Sequence, residues 1–177
     1  MVENNPNHYF AYGSNLHPIR LESRLGQVDF FGKGKLKSTE IHFHKRGSDG
    51  SGKATIQSTS DQDKIAWGAV YELSKKQEKL LDKFESLGAG YHKTYVDVEM
   101  ENGNIAPCFT YEGMTEYVDF NSLPFHWYKQ LVIEGSRYLK FPENYIDFLE
   151  NIPSEADPND KRVSTNRRLI KLMKEKK

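Results

Sequence analysis

The 177-residue chain contains a single cysteine, Cys108, so no internal disulfide can form. No run approaches the roughly 18 apolar residues that a membrane span requires. The N-terminus lacks the apolar stretch of a secretion signal, which sets the expectation of a cytoplasmic protein with no membrane partner. Net charge is also lacking: 25 Lys and Arg balance 25 Asp and Glu, and the balance gives no overall electrostatic reason to expect nucleic acid. No cysteine cluster and no His-Glu helical motif is present, so the usual zinc frameworks are excluded and no metal or cofactor is expected.

The hydrophobic share of 37% is enough to enclose one core, and 10 Tyr and 10 Phe supply rings, half of them with a polar handle. The organisation read from the chain is one domain over 1–160, followed by a basic helix or tail over 161–177. That last stretch holds eight basic residues against one acidic. The rest carries 17 basic against 24 acidic, a formal charge of −7. Such a charge run reads as a solvated face before it reads as a binding surface.

His8 to Tyr12 is short and aromatic, which predicts a strand, and Gly13-Ser14-Asn15 ends it in a turn. Pro18 then suits the first turn of a helix through Leu25. Val28–Phe31, Leu36–His44, Ala54–Ser58 and Ile65–Leu73 carry β-branched and aromatic residues between Gly, Ser and Asp clusters, and they predict a strand-rich middle. Ser74-Lys75-Lys76-Gln77 is a capping box, and Leu80, Leu81 and Phe84 follow on one face of a helix ending near Glu85. Tyr91–Met100 and Ile105–Tyr111 flank Asn102-Gly103, a two-residue hairpin signal. Beyond Pro124 the spacing is helical.

Five candidate features stand out, and three of them point away from chemistry. Gly47 to Lys53 fits most of a phosphate-binding loop, but Ala54 occupies the position of the required hydroxyl and a strand follows instead of a helix; a flexible loop is the better reading. His42 and His44 share one face of a strand but lack a third ligand, and Cys108 lies in a strand with no base assigned to it. The Tyr12 to Leu16 turn differs, because consecutive backbone amides at a helix start can converge on an anion. Glu85, ending an amphipathic helix directly after Phe84, offers a carboxylate that could be desolvated, but most such glutamates are solvated; on residue chemistry alone the turn reads as an ordinary one and neither feature decides a function.

Taken in order, Tyr9-Phe10-Ala11-Tyr12-Gly13-Ser14-Asn15-Leu16, Ala66 to Tyr71, Leu81-Asp82-Lys83-Phe84-Glu85 with Gly90-Tyr91, and Tyr128-Lys129 with Gly135 and Pro142 resemble the γ-glutamylcyclotransferase family. The resemblance implies an α+β fold, a small, partly closed β-barrel with flanking helices. It implies a γ-glutamyl substrate cyclised to 5-oxoproline with release of the amine, and a homodimer. Glu85 takes the family's catalytic acid/base position, Tyr9, Phe10, Ala11, Tyr12, Gly13, Ser14 and Asn15 its substrate-holding segment, and Tyr128 a pocket tyrosine. The family commonly has glycine after its catalytic glutamate, whereas this chain has Ser86. The alternative class is a non-catalytic module that binds a small acid or a partner on the same fold.

Overall fold

A computed structural model describes residues 7–176. Five strands form a closed barrel in the order β1 (His8–Ala11), β5 (Ile65–Glu72), β2 (Asp29–Lys37), β6 (Tyr91–Met100), β7 (Ile105–Gly113). All neighbours are antiparallel except β1 and β7, which meet in parallel at Tyr9 and Phe109 and so close the ring. Closure leaves the barrel no open edge. A separate two-stranded ribbon, β3 (Thr39–Arg46) and β4 (Gly52–Ser58), stands beside it.

The barrel follows from alternation and from one strong turn. β1 is buried on both faces: the register sets Phe10 opposite Val70 on one, and Tyr9 opposite Tyr71 and Phe109 on the other, and Phe10, Val70 and Tyr71 are completely buried. Asn102-Gly103 joins β6 to β7 as the sequence predicts, with Gly103 at φ 84°, a conformation that glycine adopts without strain. One expected strand divides in two. Ser38, at φ 49°, turns the chain out of the barrel in the middle of the 36–44 run. β2 therefore ends at Lys37 in the barrel, and β3 begins at Thr39 in the ribbon. No Gly or Pro marks that corner.

Helices cover the barrel. α1 (Pro18–Leu25) starts on Pro18 and is capped by His17, whose Nδ1 accepts from the Ile19 amide at 3.2 Å. α2 (Lys75–Phe84) opens on the Ser74/Gln77 capping box. α3 (His126–Tyr138) and α4 (Glu143–Asn151) pack against each other. α5 (Asp160–Glu175) packs on α3 and α1, burying Ile170 and Met173 against Leu131, while its charged face is left to solvent. Its start is pinned by Asp157, which takes two bonds from Arg162 and one at 2.7 Å from the Trp127 indole. Among the described residues, no helix is long and apolar enough to cross a membrane.

Candidate active site

The turn after β1 is held from three sides. The Tyr71 hydroxyl donates to the Leu16 carbonyl at 2.6 Å, Thr110 donates to the Phe10 carbonyl at 2.8 Å, and the Tyr12 hydroxyl donates to the Tyr111 carbonyl. Each bond is worth about 1 kcal/mol net, and together they leave the turn little freedom. Gly13 is needed here for closeness, because a Cβ at this position would lie 3.0 Å from that of Ala54. The Ala54 peptide passes between two ring hydroxyls: its N–H donates to Tyr128 at 3.0 Å, and its carbonyl accepts from Tyr91 at 2.7 Å. The residue that breaks the phosphate-loop pattern is thus a small joint between turn and ribbon.

Glu85 caps the C-terminus of α2. The Ser86 amide reaches back to the Lys83 carbonyl at 3.2 Å and the Leu87 amide to Asp82 at 2.9 Å, a Schellman motif with Ser86 at φ 50° in the left-handed position where glycine is usual. This ending aims the Glu85 side chain at the turn. Its Oε1 accepts from Asn15 Nδ2 at 3.0 Å and from Arg24 Nη1 at 3.2 Å, and the same Arg24 nitrogen donates to Asn15 Oδ1 at 3.1 Å. Asn15 Nδ2 also reaches the Tyr9 hydroxyl at 3.2 Å, and the Arg24 guanidinium lies 5.2 Å from the Phe84 ring centre. Among the described residues Glu85 Oε2 has no hydrogen-bond partner. One oxygen is anchored and the other is available.

A cleft of about 30 Å³ lies against this carboxylate, lined by Tyr9, Tyr12, Ser14, Asn15, Glu85 and Tyr128 together with Gly13, Ala54, Tyr91 and Tyr111. It adjoins a chamber of about 420 Å³ with which it shares Ser14, Glu85, Tyr91 and Tyr128. Burial raises the phenols of Tyr9 and Tyr12 above their ordinary value, with nearby carboxylate and phenol charge adding to the effect. Tyr128 is pushed up to about 12, again chiefly by burial. All three therefore stay neutral hydroxyls at any physiological pH.

The structure brings most of the expected residues together but not all. Phe10 and Ala11 do not line the cleft, because both are completely buried against the core on opposite faces of β1. The 47–53 loop is a braced turn and not a loose one. Asp49 accepts from the Ser51 amide at 3.1 Å and from Lys53 at 2.8 Å, and the loop walls the chamber. His42 and His44 stack at 4.7 Å on the opposite side of the ribbon, along a separate apolar groove of about 560 Å³. Cys108 is buried, and burial pushes its thiol up to about 12, so a thiolate is not available at neutral pH.

Residues that the sequence did not single out complete the site. Arg24 lies on α1, the helix that follows the turn, and Arg20 and Lys45 wall the chamber beside Lys53 of the 47–53 loop. Tyr111 stood out only as an aromatic strand position, and Tyr91 only within the motif order, with no role at the site. Their signal was weak, since only the folded chain brings α1, the ribbon and α2 to one place.

A small closed barrel carrying a carboxylate at the end of a helix, opposite a glycine turn, defines the class, and comparisons place the chain within it. The AIG2-like family profile matches residues 66–149. The human γ-glutamylcyclotransferase is 31% identical over 159 residues, covering 86% of this chain and 79% of that protein. The Bos taurus γ-glutamylcyclotransferase is 29% identical over 173 residues, 94% of this chain and 87% of its own. A solved γ-glutamyl cyclotransferase structure superposes with a TM-score of 0.79 at 25% identity, covering 93% of this chain and 98% of that one. The chain belongs to the γ-glutamylcyclotransferase family and is an enzyme of that type.

Proposed function

We propose that this enzyme cyclises the γ-glutamyl group of a small γ-glutamyl compound to 5-oxoproline and frees the amine that had been acylated. The observation that carries the reading is the posture of Glu85. Asn15 and Arg24 hold one oxygen at 3.0 and 3.2 Å, while the other has no partner among the described residues at the junction of cleft and chamber. A carboxylate held in this way can take a proton from one side of a bound molecule and deliver it to the other.

The reaction is internal to the substrate. The α-nitrogen attacks the γ-carbonyl carbon, a new C–N bond closes the five-membered ring, and the bond from that carbon to the acceptor nitrogen breaks. The α-ammonium loses two protons in all, and the departing amine gains two. Glu85 carries protons between the two nitrogens, so no outside acid, base or redox partner is needed. Such transfer is worth about 10²- to 10⁴-fold. Folding the glutamyl arm so that its ends meet contributes more, since oriented intramolecular reactions reach effective molarities on the order of 10⁵ M.

The backbone around Gly13 to Asn15 suits the substrate's α-carboxylate or the tetrahedral oxyanion. Among the described residues the Ser14 and Asn15 amides donate to no backbone carbonyl. The neutral hydroxyls of Tyr9, Tyr12 and Tyr128 give the remaining polar wall. Incubation with a panel of γ-glutamyl amino acids and γ-glutamyl amines should release 5-oxoproline and free amine in equal amounts from at least one member. Tight binding across the panel with no release of either would instead establish a non-catalytic binding module.

A further inference from the structure

The chamber next to Glu85 is walled by five basic side chains, Arg20, Arg24, Lys45, Arg46 and Lys53, against the two acids Glu85 and Asp49. Two of the cations are matched within the protein: Arg24 with Glu85 at 3.2 Å, and Lys53 with Asp49 at 2.8 Å. Arg20, Lys45 and Arg46 form no ion pair among the described residues. Arg46 is exposed and solvated, so the two that need explaining are Lys45 and Arg20.

Lys45 is only 6% exposed, yet it meets no carboxylate and no hydrogen-bond acceptor among the described residues. Its ammonium lies 4.4 Å from the Tyr91 ring centre and 5.6 Å from that of Tyr117. Two glycines clear its path: a Cβ at Gly90 would come within 2.6 Å of Lys45 Nζ, and one at Gly113 within 2.8 Å of its Cγ. Lys45 also stands directly opposite Lys53 across the ribbon, a like-charge pairing that is destabilising by itself. The Nε of Arg20 is likewise buried without a partner. Burial lowers the pKa of both groups, which is the electrostatic cost of this arrangement. Unmatched, partly desolvated cations around a chamber are what an anionic ligand would complete.

We propose that the chamber receives the acceptor half of the substrate and selects acceptors with two negative charges, that is, γ-glutamyl conjugates of acidic amino acids. This rests on the cyclisation reading, in which the glutamyl half occupies the cleft and its own carboxylate meets the turn. Only the acceptor then faces Lys45 and Arg20. A neutral amine leaves both cations unmatched, a neutral amino acid matches one, and the paired carboxylates of Glu or Asp match both.

The test compares γ-glutamyl-glutamate with γ-glutamyl-glutamine, which are equal in shape but differ by one charge, through initial rates of acceptor release. The wild-type enzyme should favour the glutamate conjugate at least about tenfold in kcat/KM, and rising salt should shrink that ratio. Lys45→Met should bring the ratio close to one, and Lys45→Arg should keep most of it. If Lys45→Met does not fold, Arg20→Gln and the wild-type salt series decide in its place. A wild-type ratio at or below one, or a ratio unmoved by salt and by loss of the cation, overturns the proposal. Release from both conjugates without preference defeats the charge selection alone, whereas no release from any γ-glutamyl compound defeats the cyclisation reading beneath it.

Discussion

Asn15 and Glu85 are 70 residues apart in the chain, and their side chains meet at 3.0 Å. The contact ties the turn after the first strand to the end of the second helix. It also joins Arg24, which touches both partners, into a closed triangle of hydrogen bonds. An amide suits this place because it donates to the carboxylate and accepts from the guanidinium at once.

Asn15→Ala removes that double role. Glu85 keeps Arg24 but loses the group that fixes its direction, and a misplacement of about 1 Å can cost on the order of 10²-fold in rate. Steady-state kinetics should show kcat down by at least about tenfold with a smaller change in KM. An unchanged kcat would mean that Arg24 alone orients the carboxylate.

Ser86 takes the left-handed position of the Schellman motif at φ 50°, where an L-residue with a side chain is strained by about 1–2 kcal/mol. Ser86→Gly should therefore raise stability by about 1 kcal/mol in urea denaturation, after the extra backbone freedom of glycine is set against the relief. A loss of stability would show that the serine side chain contributes more than its strain costs.

The Tyr128 hydroxyl is the partner of the Ala54 amide at 3.0 Å. Tyr128→Phe leaves that buried N–H unmatched, at a cost of about 1–3 kcal/mol. Equilibrium unfolding measures it, and a change within error of zero would show that the amide finds another acceptor.

His17 is completely buried, and burial lowers its pKa from 6.5 to about 4. The unfolded chain then binds more protons than the folded one between these values. Stability should fall as pH drops from about 6.5 to about 4, by on the order of 3 kcal/mol for the whole shift. His17→Asn keeps an acceptor at the helix start while removing the titration, so its stability should vary less across that window. Equal pH slopes for the two proteins would assign the acid sensitivity to other groups.

Local chemistry made much of the fold legible. The capping box, Pro18 and Asn102-Gly103 each mark a boundary where one residue type satisfies a specific backbone need, and all three appear where expected. The corner at Ser38 was not legible, because its positive φ is imposed by the barrel and ribbon around it and not by a turn-forming residue. The glycine turn, Glu85 and Tyr128 could be picked out from motif order. Arg24, Arg20 and Lys45 could not. Their surroundings are built from four elements distant in sequence, and a lone basic residue in a helix or strand looks the same whether it faces solvent or a chamber.

The most direct test of the account is the rate of 5-oxoproline formation by Glu85→Gln, measured on a γ-glutamyl substrate turned over by the wild-type enzyme, with circular dichroism confirming the fold. Glutamine can still accept from Asn15 and Arg24 through its carbonyl oxygen, but it cannot carry a proton. The account predicts a fall of at least about a hundredfold in kcat. Turnover within a few-fold of wild type in a folded variant would contradict it.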